Sequence, residues 1–359
     1  DVIVCDAGGT TFDVSLVRDG AVEFSRDTWL GPQWTGDNLG MASVAVHSIG
    51  AGGGSIAWVD PGGLLRVGPM SAGSEPGPAC YGRGGDRPTV TDAAVVLGHF
   101  DPNHFLGGRM TLDEAAARRV VGTIAEALGE TLERAAWAII AVANENMIEA
   151  IKELTINEGI DPSESVLIGG GGAGGLNIVP IAQELGCRTV LGPRTAGALS
   201  ASGMQYSDII TEAGASKLTA SDGFDFEGVN AALASIDARL DEFAGRLRER
   251  GITNVEKRYY VEARYRFQVW ELDVQVPGSS FGSQAEVEAV VQEFHRVHER
   301  VFAVHDLGNA VEFLNWRGRL IAEVKAPTLE PEKAAAQADP KPDRVRQAYF
   351  GNGHVETAI

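Results

Sequence analysis

Two glycine-rich turns, each directly after a short apolar strand, constrain the fold of this chain more than any other feature of the sequence. The first turn follows the apolar run 2–5 and reads Asp6-Ala7-Gly8-Gly9-Thr10-Thr11-Phe12-Asp13. Glycine has no Cβ, so backbone N–H groups at such a turn can approach an anionic ligand closely. The turn therefore predicts a phosphate-binding hairpin, and a plain glycine hairpin that binds nothing is the alternative.

The polar side chains of this first turn suit a nucleotide and its magnesium ion. The hydroxyl groups of Thr10 and Thr11 are predicted to donate to phosphate oxygens. Asp6, at the end of the strand, is predicted to hold Mg²⁺ through a water molecule, because magnesium keeps much of its hydration shell. Asp6 is also the first of two candidate catalytic residues.

The second turn belongs to a strand–glycine–helix–strand unit. An apolar strand at 165–168 runs into the glycine-rich segment 169–175, and a helix is predicted over 176–186. A Rossmann-type dinucleotide turn is the rival interpretation, but no acidic residue follows at the place that such a site requires. A third glycine segment, 50–55, lies between two predicted strands. The predicted nucleotide-binding residues are Gly8, Gly9, Thr10, Thr11, Asp13, Gly52, Gly53, Gly54, Gly170, Gly171, Gly172, Ala173 and Gly174.

Charge and hydropathy narrow the classes of partner. The net charge of −19 repels phosphate backbones and anionic lipid surfaces, so we expect neither a nucleic-acid nor a membrane partner. The sequence has no run of eighteen apolar residues of the kind that spans a bilayer. Its three cysteines are scattered, which is typical of a reducing compartment, and a cytoplasmic protein is predicted.

The order of the predicted elements indicates an α/β protein in three parts. Residues 1–215 are predicted to form a nucleotide-binding core that contains the glycine turns. Residues 216–325 are predicted to form a smaller α+β domain, because charged helical segments alternate with long strand patterns there. Residues 326–359 are predicted to be a linker, rich in alanine and proline, and the start of a further domain.

The Asp-x-Gly-Gly-Thr hairpin resembles the phosphate-binding signature of the superfamily that contains actin, the sugar kinases and the heat-shock chaperones. Further segments resemble the hydantoinase A / 5-oxoprolinase family, which includes the ATP-binding subunits of acetone and acetophenone carboxylases. Those segments are 48–58, 67–81, 89–98, 144–147 and 262–268. The resemblance implies a ribonuclease H-like (actin-like ATPase) core with a mixed sheet and flanking helices, plus a smaller α+β C-terminal domain.

The resemblance also implies an activity. ATP with Mg²⁺ would phosphorylate the carbonyl oxygen of a lactam or hydantoin amide, and a hydantoinase B-like subunit or domain would complete ring-opening hydrolysis. An ATP-binding subunit of a ketone carboxylase is the alternative, and a non-catalytic nucleotide-sensing scaffold is an alternative of another class. The turn 169–175 is richer in glycine than the common family form and is followed by Leu176 and Asn177 where a histidine often occurs, which we associate with the carboxylases.

Family members carry an earlier hairpin of the same kind, and the hairpin at Asp6 corresponds to the second of the two. Residues 1–359 alone are therefore expected to bind ATP weakly and not to turn it over.

Two further residues lie close to the glycine segments. Asp92, between a predicted strand and a helix of small residues, is the second candidate catalytic residue, as a base or an indirect metal ligand, and a helix N-cap is the alternative. His47 precedes the third glycine segment and is a candidate for contact with phosphate, although an ordinary strand histidine is the more frequent outcome.

The C-terminal half contains weaker candidates. His295, His298 and His305 have a zinc-like spacing, but no fourth ligand is evident and charged neighbours such as Glu293 and Arg296 favour a solvated helix face. Four residues of one long strand pattern are candidates for a substrate or subunit surface, with simple exposure as the alternative. They are Glu262, Arg264, Tyr265 and Gln268.

Overall fold

The structure is a computed structural model, and it describes residues 1–18, 20–22, 24–25, 29–30, 35, 37–38, 43–324 and 344–358. The described residues form two compact units. The first unit contains those up to Ser202 together with 344–358, and the second begins at Gly203 and extends to 324. The sequence placed this boundary later, at 215. The predicted linker, 326–343, lies outside the described residues.

Strands and helices alternate along most of the chain. The strands are β1 (Val2–Ala7), β2 (Phe12–Arg18), β3 (Ala21–Val22), β4 (Phe24–Ser25), β5 (Trp29–Leu30), β6 (Asp37–Asn38), β7 (Ser43–Val44), β8 (His47–Ile49), β9 (Ser55–Val59), β10 (Leu65–Ser71), β11 (Val166–Gly170), β12 (Thr189–Leu191), β13 (Ile209–Ala220), β14 (Val255–Tyr265), β15 (Leu272–Val276), β16 (Val311–Ala322), β17 (Val345–Tyr349) and β18 (His354–Ala358). The helices are α1 (Val90–Val96), α2 (Glu114–Leu128), α3 (Leu132–Asn157), α4 (Gly174–Leu185), α5 (Leu199–Gly203), α6 (Phe226–Arg248) and α7 (Gln284–Phe302).

The main sheet of the first unit has the strand order β12-β11-β1-β2-β3, and β8 pairs with the first residues of β2, Phe12 to Val14. Strand β1 runs antiparallel to β2 and parallel to β11, which runs parallel to β12. This order is that of ribonuclease H-like folds, so the predicted mixed sheet is confirmed. In the register of β1 and β11, Asp6 lies opposite Gly170, and both glycine turns therefore leave the sheet at the same edge.

The helices of the first unit pack around α3, which contacts α1, α2 and α4. Thr131 caps the start of α3, with its side chain accepting a hydrogen bond from the N–H of Arg134, and Gly129 in the left-handed conformation caps the end of α2. Apolar side chains at helical spacing along α3, such as Ile139 and Ile151, are fully buried. Their burial holds the helices on the sheet.

The hairpin β17–β18 packs on the first unit. The N–H of Tyr349 donates to the carbonyl of Leu97 at 2.8 Å, and Arg346 donates to the carbonyl of His99 at 2.6 Å. The Tyr349 ring meets the edge of the Trp137 ring, with centroids 6.4 Å apart. The sequence assigned this segment to a separate domain, whereas in the structure it is part of the first unit.

The second unit is a four-stranded antiparallel sheet in the order β13-β16-β14-β15, with α6 and α7 on it. Helix α6 places its apolar residues three and four positions apart, so Leu233, Ile236 and Leu240 share one buried face. They pack with strand residues such as Phe313 and Trp316. Each buried side chain of this kind contributes roughly 1.5–3 kcal/mol to folding. The predicted α+β character of this part of the chain agrees with the structure.

Across the described segments, no helix combines the length and the apolar character that crossing a bilayer requires.

Candidate nucleotide site

Three glycine segments meet at the edge of the main sheet. The N–H of Gly53 donates to the carbonyl of Gly8 at 3.0 Å, and that of Gly54 donates to Gly9. From the other side, the N–H of Ala173 donates to the carbonyl of Ala7 at 2.8 Å. The segments that the sequence singled out separately therefore form one continuous backbone surface around the end of β1.

Two of these glycines are required by close backbone packing. A Cβ on Gly52 would lie 2.7 Å from the carbonyl oxygen of Gly8. Gly171 has a φ of +85°, and a Cβ there would lie 2.2 Å from the carbonyl oxygen of Ala7 and 2.5 Å from Oδ1 of Asp6. Both separations are well below those of real contacts, so only glycine fits at these two positions.

Most of the predicted phosphate donors are used within the chain. The N–H of Gly8 closes the hairpin by donating to Thr11 at 2.9 Å, and that of Gly171 donates to Ala196 at 2.8 Å. The N–H of Gly174 donates to Gly171 at 3.2 Å, as the first turn of α4 begins. These groups shape the site, so their predicted role as direct phosphate donors is replaced by a structural one.

Two glycine N–H groups that stay available are those of Gly9 and Gly172. Within the described parts of the chain, neither has a hydrogen-bond acceptor, and a Cβ built on either residue would meet no atom within 4 Å. Both residues thus border open space, one in each of the two glycine turns. Both residues are exposed, so an anionic ligand can reach their N–H groups.

Polar side chains surround the same edge of the sheet. Asp6 and Asp13 lie directly opposite each other on β1 and β2. Oδ2 of Asp6 accepts a hydrogen bond from Ser200 at 2.8 Å, and Asp13 accepts one from Thr11 at 3.2 Å and a short one from Ser48. Two carboxylates directly opposite on neighbouring strands repel each other unless a cation lies nearby. The pair therefore suits a hydrated divalent ion.

Three serines belong to this site although the sequence did not single them out. Ser48 and Ser200 hold the two carboxylates, and Oγ of Ser71 lies 3.2 Å from Oγ1 of Thr10. Ser71 also accepts a hydrogen bond from the N–H of Gly73 at 3.0 Å. The glycine-rich composition around Ser71 was the one available signal, since such loops bring hydroxyl groups close to a ligand. The other two serines are distant in sequence and are placed by the fold alone.

Asp92 lies in the interior, one turn into α1. Its carboxylate accepts hydrogen bonds from the N–H groups of Ala79 and Cys80, at 3.2 and 2.8 Å, and from both the N–H and the hydroxyl of Thr89, at 3.1 and 2.8 Å. The residue is fully buried. Thr89 is the N-cap and Asp92 completes a capping box from the third position of the helix. The geometry thus favours the capping interpretation over a catalytic base. The N-cap itself is Thr89, three residues before Asp92.

Thr91, for which no role was predicted, links α1 to the site. Its N–H and its hydroxyl both donate to the carbonyl of Gly53 at 2.8 Å. The capping box at Asp92 therefore supports the glycine loop indirectly, because it fixes the first turn of the helix that carries Thr91. His47 lies on β8 with Nε2 3.9 Å from a carboxylate oxygen of Glu153, a half-exposed arrangement typical of an ordinary strand histidine.

A cavity of about 900 Å³ adjoins the second glycine turn. It lies between α3, α4 and the hairpin β17–β18, and Gly172 and Gly175 form part of its wall. Apolar side chains such as Ile140, Leu176 and Val179 line much of the rest. A largely apolar cavity with a few polar groups in its wall is the usual form of a small-molecule site.

The C-terminal histidines form no metal centre in the described part of the chain. His295 and His298 are each 6% exposed, so the expectation of a solvated helix face is wrong for both. The hydroxyl of Tyr265 accepts the N–H of Asp306 at 2.8 Å and lies 2.7 Å from Nδ1 of His295. That hydroxyl can donate its own proton to Nδ1, an arrangement that only the neutral form of His295 accepts.

Acid is expected to destabilise the second unit through His295. Burial, and next the nearby His305, hold the pKa of His295 below its ordinary value near 6.5. The unfolded chain then binds a proton that the folded chain does not, so the free energy of unfolding decreases as the pH falls below about 6.5. Chemical denaturation of the second unit between pH 7.5 and 5.5 measures the slope.

The matched variant for this measurement is His295→Gln, whose amide oxygen can accept from Tyr265 but does not titrate. A shallower slope for the variant than for the original chain is expected in this range. Equal slopes would mean that another group carries the acid sensitivity.

The four strand candidates of the second unit have different environments. Arg264 pairs with Glu271 at 2.9 Å and with Glu312 at 3.1 Å, while Tyr265 is 1% exposed and therefore belongs to the core. Oε2 of Glu262 accepts a short hydrogen bond from Asn315. The N–H of Gln268 donates to the carbonyl of Tyr265 at 3.0 Å, in the turn that follows β14.

The profile of the family described as "Hydantoinase/oxoprolinase" matches residues 1–213, and that of the "Hydantoinase/oxoprolinase C-terminal domain" matches 230–359. Caprolactamase subunit alpha from Pseudomonas jessenii is 37% identical over 348 residues, which cover 93% of this chain and 48% of the relative. Acetophenone carboxylase gamma subunit from Aromatoleum aromaticum is 45% identical over 177 residues, 48% of this chain and 24% of the relative.

A solved structure shows the same fold. The crystal structure of ATP-dependent caprolactamase from Pseudomonas jessenii superposes with a TM-score of 0.78 at 35% identity, over 98% of this chain and 51% of that one. The chain thus spans about half the length of the caprolactamase chain that it matches.

Proposed function

This chain belongs to the hydantoinase/oxoprolinase family, and we propose that it binds ATP and magnesium to activate the carbonyl of a lactam or hydantoin ring for hydrolysis. The observation that carries the proposal is the meeting of the three glycine segments, which leaves the N–H groups of Gly9 and Gly172 free at open space. A triphosphate is the ligand that such a pair of anion-binding turns suits.

The proposed phosphate site uses both kinds of donor. The free N–H groups of Gly9 and Gly172 would contact phosphate oxygens, together with the hydroxyl groups of Thr10 and Ser71, which lie 3.2 Å apart. Gly52 and Gly171 hold the segments close enough for this. Donors fixed by the fold need no rearrangement when charge develops on a transferring phosphoryl group, and such fixed donors are a main source of catalysis in phosphoryl transfer.

The base of the nucleotide is proposed to occupy the cavity beside the second glycine turn. Gly172, one of the proposed phosphate donors, borders this cavity, so a base in the cavity would lie next to that donor. Leu176 and Val179 of α4 supply an apolar wall for an aromatic ring. This arrangement supports the role that the sequence proposed for the turn 169–175.

Magnesium is proposed to bind through water at Asp6. The carboxylate pair of Asp6 and Asp13 fits this ion, since magnesium prefers oxygen ligands and retains several waters. When bound, the ion would neutralise charge on the phosphates. Ser200 and Ser48 hold the two carboxylates in place by hydrogen bonds, which fixes the direction in which they accept water.

A lactam is the favoured substrate class, and the work is proposed to be shared with a hydantoinase B-like subunit. The caprolactamase relative covers nearly the whole of this chain and is named as a subunit, which supports both parts of the proposal. The alternative is a ketone carboxylase subunit. It is supported by the 45% identity with the acetophenone carboxylase gamma subunit, although that match covers only 48% of the chain.

Substrate-stimulated ATP hydrolysis tests the proposal. The full-length protein, purified with its hydantoinase B-like partner, is expected to release phosphate faster when 5-oxoproline or caprolactam is added. Asp6→Asn is expected to lower that rate by roughly 100-fold or more, because the carboxylate would no longer hold the hydrated ion. The matched control is Asp161→Asn, an exposed turn aspartate of the same unit, which is expected to keep the rate.

The same assay distinguishes the two alternative functions. Stimulation by acetophenone with bicarbonate, and not by lactams, would establish the carboxylase alternative. Calorimetric binding of ATP with no stimulation by any of these compounds would favour a nucleotide-sensing scaffold.

A further inference from the structure

An apolar loop projects from the second unit where β14 turns into β15. Phe267 is 92% exposed, Val269 72% and Trp270 68%. Aromatic side chains are normally buried to a large extent, and Trp316 of the same sheet is completely so. Three large apolar side chains exposed within four residues are therefore unusual for a surface that meets only water.

The backbone of this loop is held firmly by neighbouring segments. The N–H of Arg266 donates to the carbonyl of Ala310 at 2.9 Å, and the guanidinium group of Arg266 makes two hydrogen bonds to Asp222, at 2.9 and 2.7 Å. The N–H of Gln268 donates to Tyr265, which is anchored in the core. A loop fixed in this way presents its apolar side chains in one arrangement and loses little entropy when it is covered.

The conformation of Phe267 is itself unfavourable. Its φ is +73°, in the left-handed region that glycine adopts without strain and a bulky side chain rarely does. The surrounding hydrogen bonds maintain this conformation, and its result is a phenyl ring directed into solvent. Strain that displays a side chain in this manner is typical of a binding position.

A second loop extends the apolar surface. The segment 303–310 lies beside the first loop, because the N–H of Asp306 donates to the hydroxyl of Tyr265 at 2.8 Å. Val304 is 58% exposed and Leu307 67% exposed in this segment. We call these five residues, Phe267, Val269, Trp270, Val304 and Leu307, the apolar loop patch.

The size of the patch is that of an interface centre. From the exposed fractions, Phe267, Val269 and Trp270 alone present on the order of 450 Å². The largest apolar patch on a typical monomer measures about 300–600 Å², and one partner of a stable complex buries about 800 Å². Tryptophan and other aromatic residues at such a centre commonly dominate the binding energy.

The charges around the patch favour a basic partner. Asp222 and Glu288 border the hollow next to Phe267, Glu271 follows Trp270, and Asp306 precedes Leu307. Two of these carboxylates are paired with cations, Asp222 with Arg266 and Glu271 with Arg264. A second copy of the chain would bring the same acidic rim, and a further net charge of −19, against the first. Like charges therefore disfavour self-association through this patch.

We propose that the apolar loop patch docks into an apolar pocket with a basic rim on the hydantoinase B-like subunit. Only the identity of the partner in this proposal rests on the proposed function. The names of two relatives as subunits support a separately encoded partner. Phe267 and Trp270 would insert into the pocket, and the rim carboxylates would guide the approach.

Hydroxyl-radical footprinting with mass spectrometry tests the location, without ATP. In the full-length chain alone, oxidation of Phe267 and Trp270 is expected to be fast, and addition of the purified hydantoinase B-like subunit is expected to slow it at least fivefold. Leu218, 65% exposed on β13, is the reference that should not change, and buried Trp316 should stay unreactive in both states. Equal oxidation rates in the presence and absence of the partner would overturn the proposal, as would protection already present in the full-length chain alone.

Two variants test the energetic role. Trp270→Ser is expected to weaken binding of the subunit roughly 30-fold or more, as for truncation of a central aromatic residue. Phe267→Gly is expected to weaken it as well while the melting temperature of the chain alone stays the same or rises, since glycine accepts the positive φ. Leu218→Ser should leave the affinity unchanged. Unchanged affinity in both test variants would refute the assignment.

The readouts separate this proposal from the previous one. Binding of ATP to the full-length chain, measured by calorimetry, should be the same in Phe267→Gly and in the original protein. Loss of subunit binding with intact ATP binding supports the docking surface, whereas intact subunit binding without any ATP binding contradicts the proposed function alone.

Discussion

Gly171→Ala is expected to destabilise the first unit by at least about 3 kcal/mol, because a positive φ and a clash with backbone are combined at one residue. The new Cβ would lie 2.2 Å from the carbonyl oxygen of Ala7, which is fixed in β1 and cannot move aside without breaking the sheet. A loss of this size lowers the melting temperature of a unit of this length by roughly 6–12 °C. Differential scanning calorimetry measures it.

The adjacent residue provides the control. Gly172 has no positive φ, and a Cβ there would meet nothing within 4 Å. Gly172→Ala is therefore expected to keep the melting temperature within about 2 °C of the original. If its N–H faces a nucleotide as proposed, the added methyl group should still weaken ATP binding in the full-length protein. Equal melting temperatures for the two variants would contradict the packing around Ala7, and unchanged ATP binding in Gly172→Ala would contradict the phosphate contact.

Asp92→Ala is expected to cost about 3–5 kcal/mol of stability, because it leaves four buried donors without their acceptor. The capping box of α1 would be lost, and with it the support that Thr91 gives to the carbonyl of Gly53. Urea denaturation followed by far-ultraviolet circular dichroism measures the change. Activity is expected to fall only in proportion to the fraction of protein that is unfolded.

A second cap aspartate is the comparison for this variant. Asp113 caps α2 by accepting a hydrogen bond from the N–H of Ala116 at 2.9 Å. This is one accepted hydrogen bond, whereas the carboxylate of Asp92 accepts four. Asp113→Ala should therefore cost about 1 kcal/mol. The catalytic interpretation of Asp92 would be restored by the reverse pattern, in which Asp92→Asn keeps the stability of the original protein and abolishes substrate-stimulated ATP hydrolysis.

The fold class was predictable because its main signals are local. An apolar strand that ends in Asp6 and two glycines, and a second strand that ends at Gly169, indicated two turns before any contact between them was known. The parallel pairing of β1 with β11 then brings both turns to one edge. The comparisons confirm the family and the ribonuclease H-like core.

Which glycines pack against backbone and which leave their N–H groups free was not predictable from the sequence. Gly8 and Gly9 look equivalent in the sequence, yet the N–H of Gly8 closes the hairpin and that of Gly9 is free. Gly171 and Gly172 differ in the same way, since the first packs against Ala7 and the second borders open space. Hydrogen bonds between distant segments decide these roles, and no local pattern records them.

Burial was the other property that sequence patterns misjudged. The charged neighbours of His295 indicated a solvated helix face, but Tyr265, thirty positions earlier in the chain, contacts that histidine and is itself held by the N–H of Asp306. Ser200 likewise reaches Asp6 across almost two hundred positions. Tertiary contacts of this kind outweigh the tendencies of neighbouring residues.

The hairpin at 344–358 has a consequence for how the protein is made. The first unit lacks this hairpin until the ribosome has synthesised residues 203–358, which at 5–20 residues per second takes roughly eight to thirty seconds. During that time the ring of Trp137 lacks the contact that Tyr349 of the hairpin provides in the folded protein. The second unit is one continuous stretch, so all its described residues are synthesised before the hairpin.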